Sequence, residues 1–346
     1  MSTRRLFLDR GVGETRAVVT LDNRPERLLI RRDDEDPRLA LGARLVARIA
    51  SVEPAIGTAF LDLGNGLEAI LPFKPDERPV RGGAVEIEIR SEPRVGKLAV
   101  ARLIGAGEGA PRLVAPPPDL AEVLQGFARD ARLVEGREAR AMADEAEAEA
   151  LETIHPLPGG GTLAVEPTRA LTAIDVDLGE RKGADAKRVT RQANLAALTE
   201  SARLLRLKGL GGLVVIDLVG RGHDGNALLA AARLAFAPDN PGVSIGPVGR
   251  FGTMELSSPR RTRPVLEQLR RPDGALNDRA LAQRLIRRVE AEASAQPGAR
   301  LTVACAPAIA AAAEPLGRVL AERIGARFLI SSDPARPRDQ FDVSGA

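Results

Sequence analysis

Between residues 85 and 90 apolar and charged positions alternate without a break: Val85, Ile87 and Ile89 interleave with Glu86, Glu88 and Arg90. A period of two marks a strand with one face inward. Alternation or short β-branched runs recur at 44–52, 57–63, 67–71 and 98–103, separated by Gly and Pro. Five such strands predict a small closed barrel, with an OB-type barrel the leading candidate. Three strands are expected before it, at 5–8, 15–21 and 27–30. Residues 105–118, rich in Gly and Pro, read as a linker. Residues 119–153 read as helical, with the Ala/Glu run 141–152 as a solvated face.

The second half alternates strand and helix. Residues 162–166 and 171–177 form an expected hairpin, followed by an amphipathic helix over 185–207 that Gly209 stops. A strand over 211–218, a helix over 225–236 and strands at 243–245 and 248–256 come next, then helices at 263–269 and 277–295. A β-α-β unit over 301–306, 309–324 and 327–330 closes the chain, and the polar residues 333–346 are expected to be loosely held. This alternation predicts an α/β layer with ligands at its strand ends.

Two of these strands carry carboxylates inside apolar runs: Asp175 and Asp177 in 171–177, and Asp217 at the end of 213–217. An ionised Asp in a core is costly unless it is paired or meets a cation. Asp175 and Asp177 point to one face of a strand. With Asp217 on the neighbouring strand, three carboxylates converge into the oxygen-rich site that Mg²⁺ prefers. In the barrel, Phe60 and Phe73 are candidates to stack on bases, and Arg48, Lys74 and Lys97 to meet phosphates; the competing expectation is that Phe60 fills the barrel. His155 and His223 are expected as exposed loop histidines.

Composition changes this picture little. The chain is 44% hydrophobic, with a formal charge of +3 and a pI of about 9.5, which suits a polyanion partner. Arginines cluster at 260, 261 and 263, at 270 and 271, and at 287 and 288, as either a polyanion-facing or a solvated surface. A single cysteine, Cys305 in apolar surroundings, excludes an intramolecular disulfide and a Cys-rich zinc site and is expected to be a buried thiol. No long apolar stretch follows the first residues and no run approaches the ~20 residues of a span. The expectation is a cytoplasmic protein with no membrane segment.

Several runs carry a further signal: 171–175, Asn194-Leu195, 203–217, and Gly249-Arg250-Phe251-Gly252, preceded by 49–54, 59–64 and Leu71-Pro72. In order and spacing they resemble the ribonuclease E/G family. The resemblance implies an α/β (α+β) catalytic domain with RNase-H-like and DNase-I-like parts, plus an inserted OB-type β-barrel. The domains it implies are N-terminal strands of the RNase-H-like part at 1–38 and the RNA-binding barrel at 39–105. A shortened linker and helical part follows at 106–160, then the DNase-I-like catalytic domain at 161–298, and a small β-α-β unit with the tail at 299–346. It implies a metal-dependent endoribonuclease that cleaves single-stranded RNA and leaves 5′-phosphate and 3′-hydroxyl. The metal is Mg²⁺ or Mn²⁺, with Asp175 and Asp217 as its ligands and catalytic residues, and Asp177 as a third ligand where the family has Asn. Phe60, Lys97, Asn194, Arg250 and Phe251 fall on its RNA-binding positions, beside Arg48 and Lys74. Its Cys-containing zinc link is absent after Arg263, so no zinc is expected and the homo-oligomeric state stays open. The segment between barrel and catalytic strands is too short for the family's 5′-sensor. The competing expectation is an RNA-binding protein of the same family with weak or no catalysis.

Overall fold

The computed structural model describes residues 3–181, 183, 185–220, 222 and 224–345, so His223 lies outside the described residues. Strands β1 (Arg4–Arg10), β2 (Glu14–Leu21) and β3 (Arg24–Arg32) form an antiparallel meander. The chain then builds β4 (Arg44–Glu53), β5 (Thr58–Gly64), β6 (Leu67–Pro72), β7 (Ala84–Ser91) and β8 (Ala99–Ala106). Pairing runs β4–β5–β6–β8–β7 and back to β4, which closes a five-stranded barrel. Leu45, Ile49, Leu61, Leu63, Ile87 and Ile89 fill its interior. β9 (Arg112–Ala115) adds to β4, so the stretch expected to be only a linker contributes a strand. After α1 (Leu120–Phe127), β10 (Leu133–Glu135) pairs in parallel with β1. The sheet β10-β1-β2-β3 is therefore made from chain on both sides of the barrel, which is inserted into it. β10 interrupts the expected helical stretch; three residues are too few to display a period.

Next come α2 (Arg137–Leu151), β11 (Ile154–Pro156), β12 (Thr162–Pro167), β13 (Thr172–Asp177), α3 (Ala186–Lys208), β14 (Gly212–Asp217), α4 (Gly225–Ala235), β15 (Ser244–Val248) and β16 (Thr253–Ser258). They make a mixed sheet in the order β11-β12-β13-β14-β16-β15, with β13 and β14 parallel. Helix α3 begins at Asp185, whose carboxylate accepts from the Lys187 and Arg188 amides, and ends at Gly209 in the left-handed region, as expected. Ile174, Val176, Val214, Ile216, Met254 and Leu256 point to the helices and are buried. The opposite face is open to solvent, and Asp175, Asp177 and Asp217 are on it. Their strands are half-buried rather than buried, so these carboxylates pay no desolvation cost, contrary to the expectation from their apolar neighbours.

The chain ends with α5 (Val265–Leu269), α6 (Asp278–Ala295), β17 (Leu301–Cys305), α7 (Pro307–Ile324), β18 (Phe328–Ser332) and β19 (Phe341–Gly345). β18 is parallel to β17, completing the expected β-α-β unit. β19 runs antiparallel along the other edge of β17, so the tail is tied into the sheet rather than loosely held. Cys305 is buried. Among the described residues no helix is long and apolar enough to cross a membrane.

The buried carboxylates are elsewhere. Arg16 of β2, 1% exposed, donates to Asp9 Oδ2 of β1 at 2.6 Å and to Glu147 Oε2 of α2 at 3.0 Å. Glu147 also accepts from Arg284 and Arg287 of α6, at 2.8 and 3.2 Å. Arg287 reaches Glu14 at 2.9 Å, and Glu14 accepts from Arg32 of β3 at 2.9 Å. Helix α2 is only half solvated: Asp144 and Glu145 are exposed, but Ala139, Ala143, Ala146, Glu147 and Ala150 are buried against the N-terminal sheet, α3 and α5. Arg287, counted with a surface cluster from sequence, is a core residue. Burial alone would raise the Glu147 pKa, but Arg287, Arg16 and Arg284 outweigh it and hold the carboxyl below its usual value.

His155 is 2% exposed on β11, not an exposed loop residue. Burial, and then the Lys208 charge, lower its pKa. Lys208 is itself buried, donates to the Ala150 and Glu152 carbonyls at the end of α2, and is lowered by that burial to about 8.

Replacing Glu147 with Gln keeps its shape and removes the charge shared by three guanidiniums, leaving Arg284 unpaired, so Glu147→Gln should cost about 3–5 kcal/mol in urea unfolding. Wild-type stability should fall as pH drops below the ordinary glutamate value of 4.5 and continue falling through the lowered folded value. A loss under about 1 kcal/mol in the variant would refute the role given to this residue.

Candidate active site and nucleic-acid interface

Asp217 ends β14, and Asp175, two residues before the end of the adjacent parallel β13, is its register partner, so their side chains leave the same face about 4.8 Å apart. The row across the sheet reads Ala164, Asp175, Asp217, Thr253. Small residues flank the pair and leave its face clear. Both carboxylates are exposed, and among the described residues neither accepts a hydrogen bond or joins an ion pair. Two like charges set directly opposite destabilise a sheet, and a hard cation bridging them relieves that repulsion with the oxygen donors it prefers. The residues present therefore fit a divalent cation through two protein carboxylates.

Asp177 lies one row further out, opposite Thr162, and its Oδ1 accepts from the Gly179 amide at 2.8 Å. It holds the turn that leaves β13. Among the described residues no group of three or more His, Cys, Asp or Glu gathers closely enough to hold a metal. The expected convergence of three carboxylates is thus a pair, because the row spacing of the strand carries Asp177 past the end of β14.

Beside Asp217 stands a tight hairpin. The stretch 248–256 was expected as one strand, but Gly249–Gly252 turns between β15 and β16, with the Gly249 amide on the Thr253 carbonyl at 2.8 Å. The Leu218 amide donates to the Gly252 carbonyl at 3.2 Å, which fastens the hairpin to the residue after Asp217. At its tip Phe251 is 77% exposed, with the Arg250 guanidinium stacked 4.5 Å from its ring. An exposed aromatic ring with a cation over it, next to paired carboxylates, is suited to a base and its phosphate.

Asn194 is buried on α3, not presented to a ligand. Its amide donates to the Val219 carbonyl at 3.0 Å, and the Val219 amide donates back at 3.1 Å. It therefore fixes the loop that follows Asp217. Gly220, at φ +90°, continues that loop; a Cβ there would come within 2.6 Å of Thr190 Cγ2.

The remaining candidates gather on the barrel. Phe60 does not fill it: Ala59 and Leu61 point inward, and Phe60 lies half-buried on the outer face. It is in register with Ile70, which pairs with Val100, so the three form an apolar strip across β5, β6 and β8. Arg48 stands opposite Asp62, and Lys74 follows Pro72, the partner of Thr58; the two exposed cations thus flank Phe60. Arg48 also donates to the Gly82 carbonyl at 3.1 Å. Phe73 is half-buried, packed against the barrel core. Lys97 is exposed on the β7–β8 loop, which docks on the α/β layer. There the Glu92 amide donates to the Arg261 carbonyl at 2.8 Å, and its carboxylate accepts from the Arg263 amide at 2.9 Å. Glu92 carried no sequence signal, because its partners are backbone groups about 170 residues away.

Residues 123–261 match the model of the Ribonuclease E/G family. Ribonuclease E of Haemophilus influenzae is 38% identical over 107 residues, 30% of this chain and 11% of that protein. Ribonuclease E of Escherichia coli is 37% identical over 107 residues, 30% of this chain and 10% of that protein. The chloroplastic Ribonuclease E/G-like protein of Arabidopsis thaliana is 33% identical over 114 residues, 32% and 11% of the two chains. The chain thus matches about a tenth of the length of these relatives. Asp175, Asp217, Arg250 and Phe251 fall inside the family region, and the barrel residues fall before it.

In buffer with EDTA, Asp217→Asn should raise stability by roughly 0.2–1 kcal/mol, because it removes a like-charge pair. Chemical unfolding measures this; an unchanged or lower stability would mean that the two charges do not face each other.

Proposed function

From the ribonuclease E/G family membership of residues 123–261, we propose that the chain is a divalent-cation-dependent endoribonuclease acting on single-stranded RNA. The observation that carries this reading is the in-register Asp175–Asp217 pair at the carboxyl ends of two parallel strands, where α/β layers place their ligands. Mg²⁺ or Mn²⁺ bound there supplies an activated water and neutralises charge on the phosphate. Asp175 and Asp217 hold that ion, and their fixed register sets where the phosphodiester sits. Phe251 stacks on a base beside the scissile bond and Arg250 meets the adjoining phosphate. Val219, clamped by Asn194, keeps the loop after Asp217 in place. On the barrel Phe60 stacks on a second base, while Arg48, Lys74 and Lys97 meet backbone phosphates. Hydrolysis breaks the P–O3′ bond and leaves 5′-phosphate and 3′-hydroxyl ends.

A second reading, an RNA binder with weak or no catalysis, draws on Asp177 being engaged in its own turn, which leaves the ion two protein carboxylates instead of three. One assay separates the two. With Mg²⁺, the protein should cut a fluorescent single-stranded RNA, and Asp175→Asn with Asp217→Asn should cut at least about 100-fold more slowly. Equal rates in wild type and double variant would leave the binding reading alone standing. Binding should survive that double change and weaken steeply with salt. Phe60→Ala should lower affinity by about 1–3 kcal/mol, the worth of one stacked base; unchanged affinity would remove the barrel strip from the interface.

A further inference from the structure

At the other end of β14 from Asp217 lies a cleft of about 490 Å³ between the barrel and the α/β layer. Ser258 lines it and is the register partner of Gly212, so about 17 Å of strand separates it from the carboxylate pair. Among the described residues Arg27, Arg31, Arg90, Arg206, Arg261 and Arg263 line it, against Glu88, Glu92 and Asp239.

Those three carboxylates are already shared. Asp239 accepts from both Arg27 and Arg206, at 2.8 and 2.7 Å. Glu88 is divided between Arg90 and Arg102, at 2.9 and 2.8 Å. The Glu92 carboxylate is taken by the Leu41 and Arg263 amides. Arg261 is exposed, with no side-chain hydrogen bond or ion pair among the described residues. The Arg263 Nη2 pairs with Glu35 at 2.5 Å, while its Nε is buried without an acceptor. Burial lowers the Arg27 pKa despite Asp239, and the Arg206 charge lowers it further. Six guanidiniums thus line the cleft against three carboxylates, and Arg261 is the one left without a partner among the described residues.

One wall is apolar. Leu120, Val123 and Phe127 of α1 form it, and the Arg27 guanidinium lies 4.7 Å from the Phe127 ring. Guanidinium forks match phosphate oxygens in pairs and also stack on planar rings, and the volume falls in the range of small-molecule sites. We propose that this cleft binds a free nucleoside monophosphate, with its phosphate on Arg261 and Arg263 and its base against the α1 wall. The site is separate from the carboxylate pair and does not depend on the activity proposed for it.

Titration calorimetry with uridine 5′-monophosphate in EDTA tests this. One site is expected, with uridine and inorganic phosphate each at least tenfold weaker. Arg261→Ala, an exposed change that leaves packing intact, should weaken binding at least fivefold, and Arg261→Lys less. Asp175→Asn with Asp217→Asn should leave it unchanged. A 5′-phosphorylated hexanucleotide distinguishes a free nucleotide from a strand end: weaker binding supports the assignment, and tighter binding overturns it. No heat with the monophosphate, or heat lost in the double Asp variant instead of Arg261→Ala, also overturns it.

Discussion

Glu147 is the carboxylate on which the architecture depends. Three guanidiniums from two different elements, Arg16 of β2 with Arg284 and Arg287 of α6, end on it. Burying such charges costs several kcal/mol per ion unless geometry repays it. Here nearly every donor finds an oxygen, through Asp9 and Glu14 as well. The cluster ties the N-terminal sheet to α2 and α6; α2 packs in turn on α3 and α5, and α3 on the larger sheet. The barrel is inserted into the N-terminal sheet, so its position relative to the α/β layer rests on the same buried charges. Glu92 adds a clasp on the far side, through backbone amides of 41 and 263.

The candidate site inherits its geometry from strand register, not from loops. Parallel pairing of β13 with β14 sets Asp175 opposite Asp217. The surrounding features serve that pair: Asn194 holds the following loop, and the Leu218 amide anchors the hairpin that displays Arg250 and Phe251. The open face of the sheet matters as much. A helix on both faces would have desolvated the carboxylates and closed them to a polymeric ligand, whereas one solvated face lets a mixed sheet carry charge at little cost.

Much of this was legible beforehand. Alternation marked the barrel strands because a small barrel has one filled and one solvated face. Gly209 marked the end of α3 because few other residues tolerate the left-handed conformation there. Asp175, Asp217, Arg250 and Phe251 stood out by motif. For the buried residues, what misled was composition or loop-like context taken as a proxy for exposure. The Ala/Glu run of α2 looked solvated, yet its small residues let the N-terminal sheet and α3 close on one face, where the inward Glu147 meets arginines. His155 looked like a loop residue, and Asn194 like a ligand-facing one; both are in the core.

The sequence by itself determined the local periods, the helix caps and stops, and the pair of strands on which the acidic residues ride, since each depends on residues a few positions apart. Only the tertiary structure decided that the tail returns as a strand and that β10 completes the first sheet. Only it decided that Arg287 is interior, and that two carboxylates meet while the third is spent on a turn. Those outcomes depend on partners up to 273 residues away in the chain and on which face another element covers, and no local pattern records either.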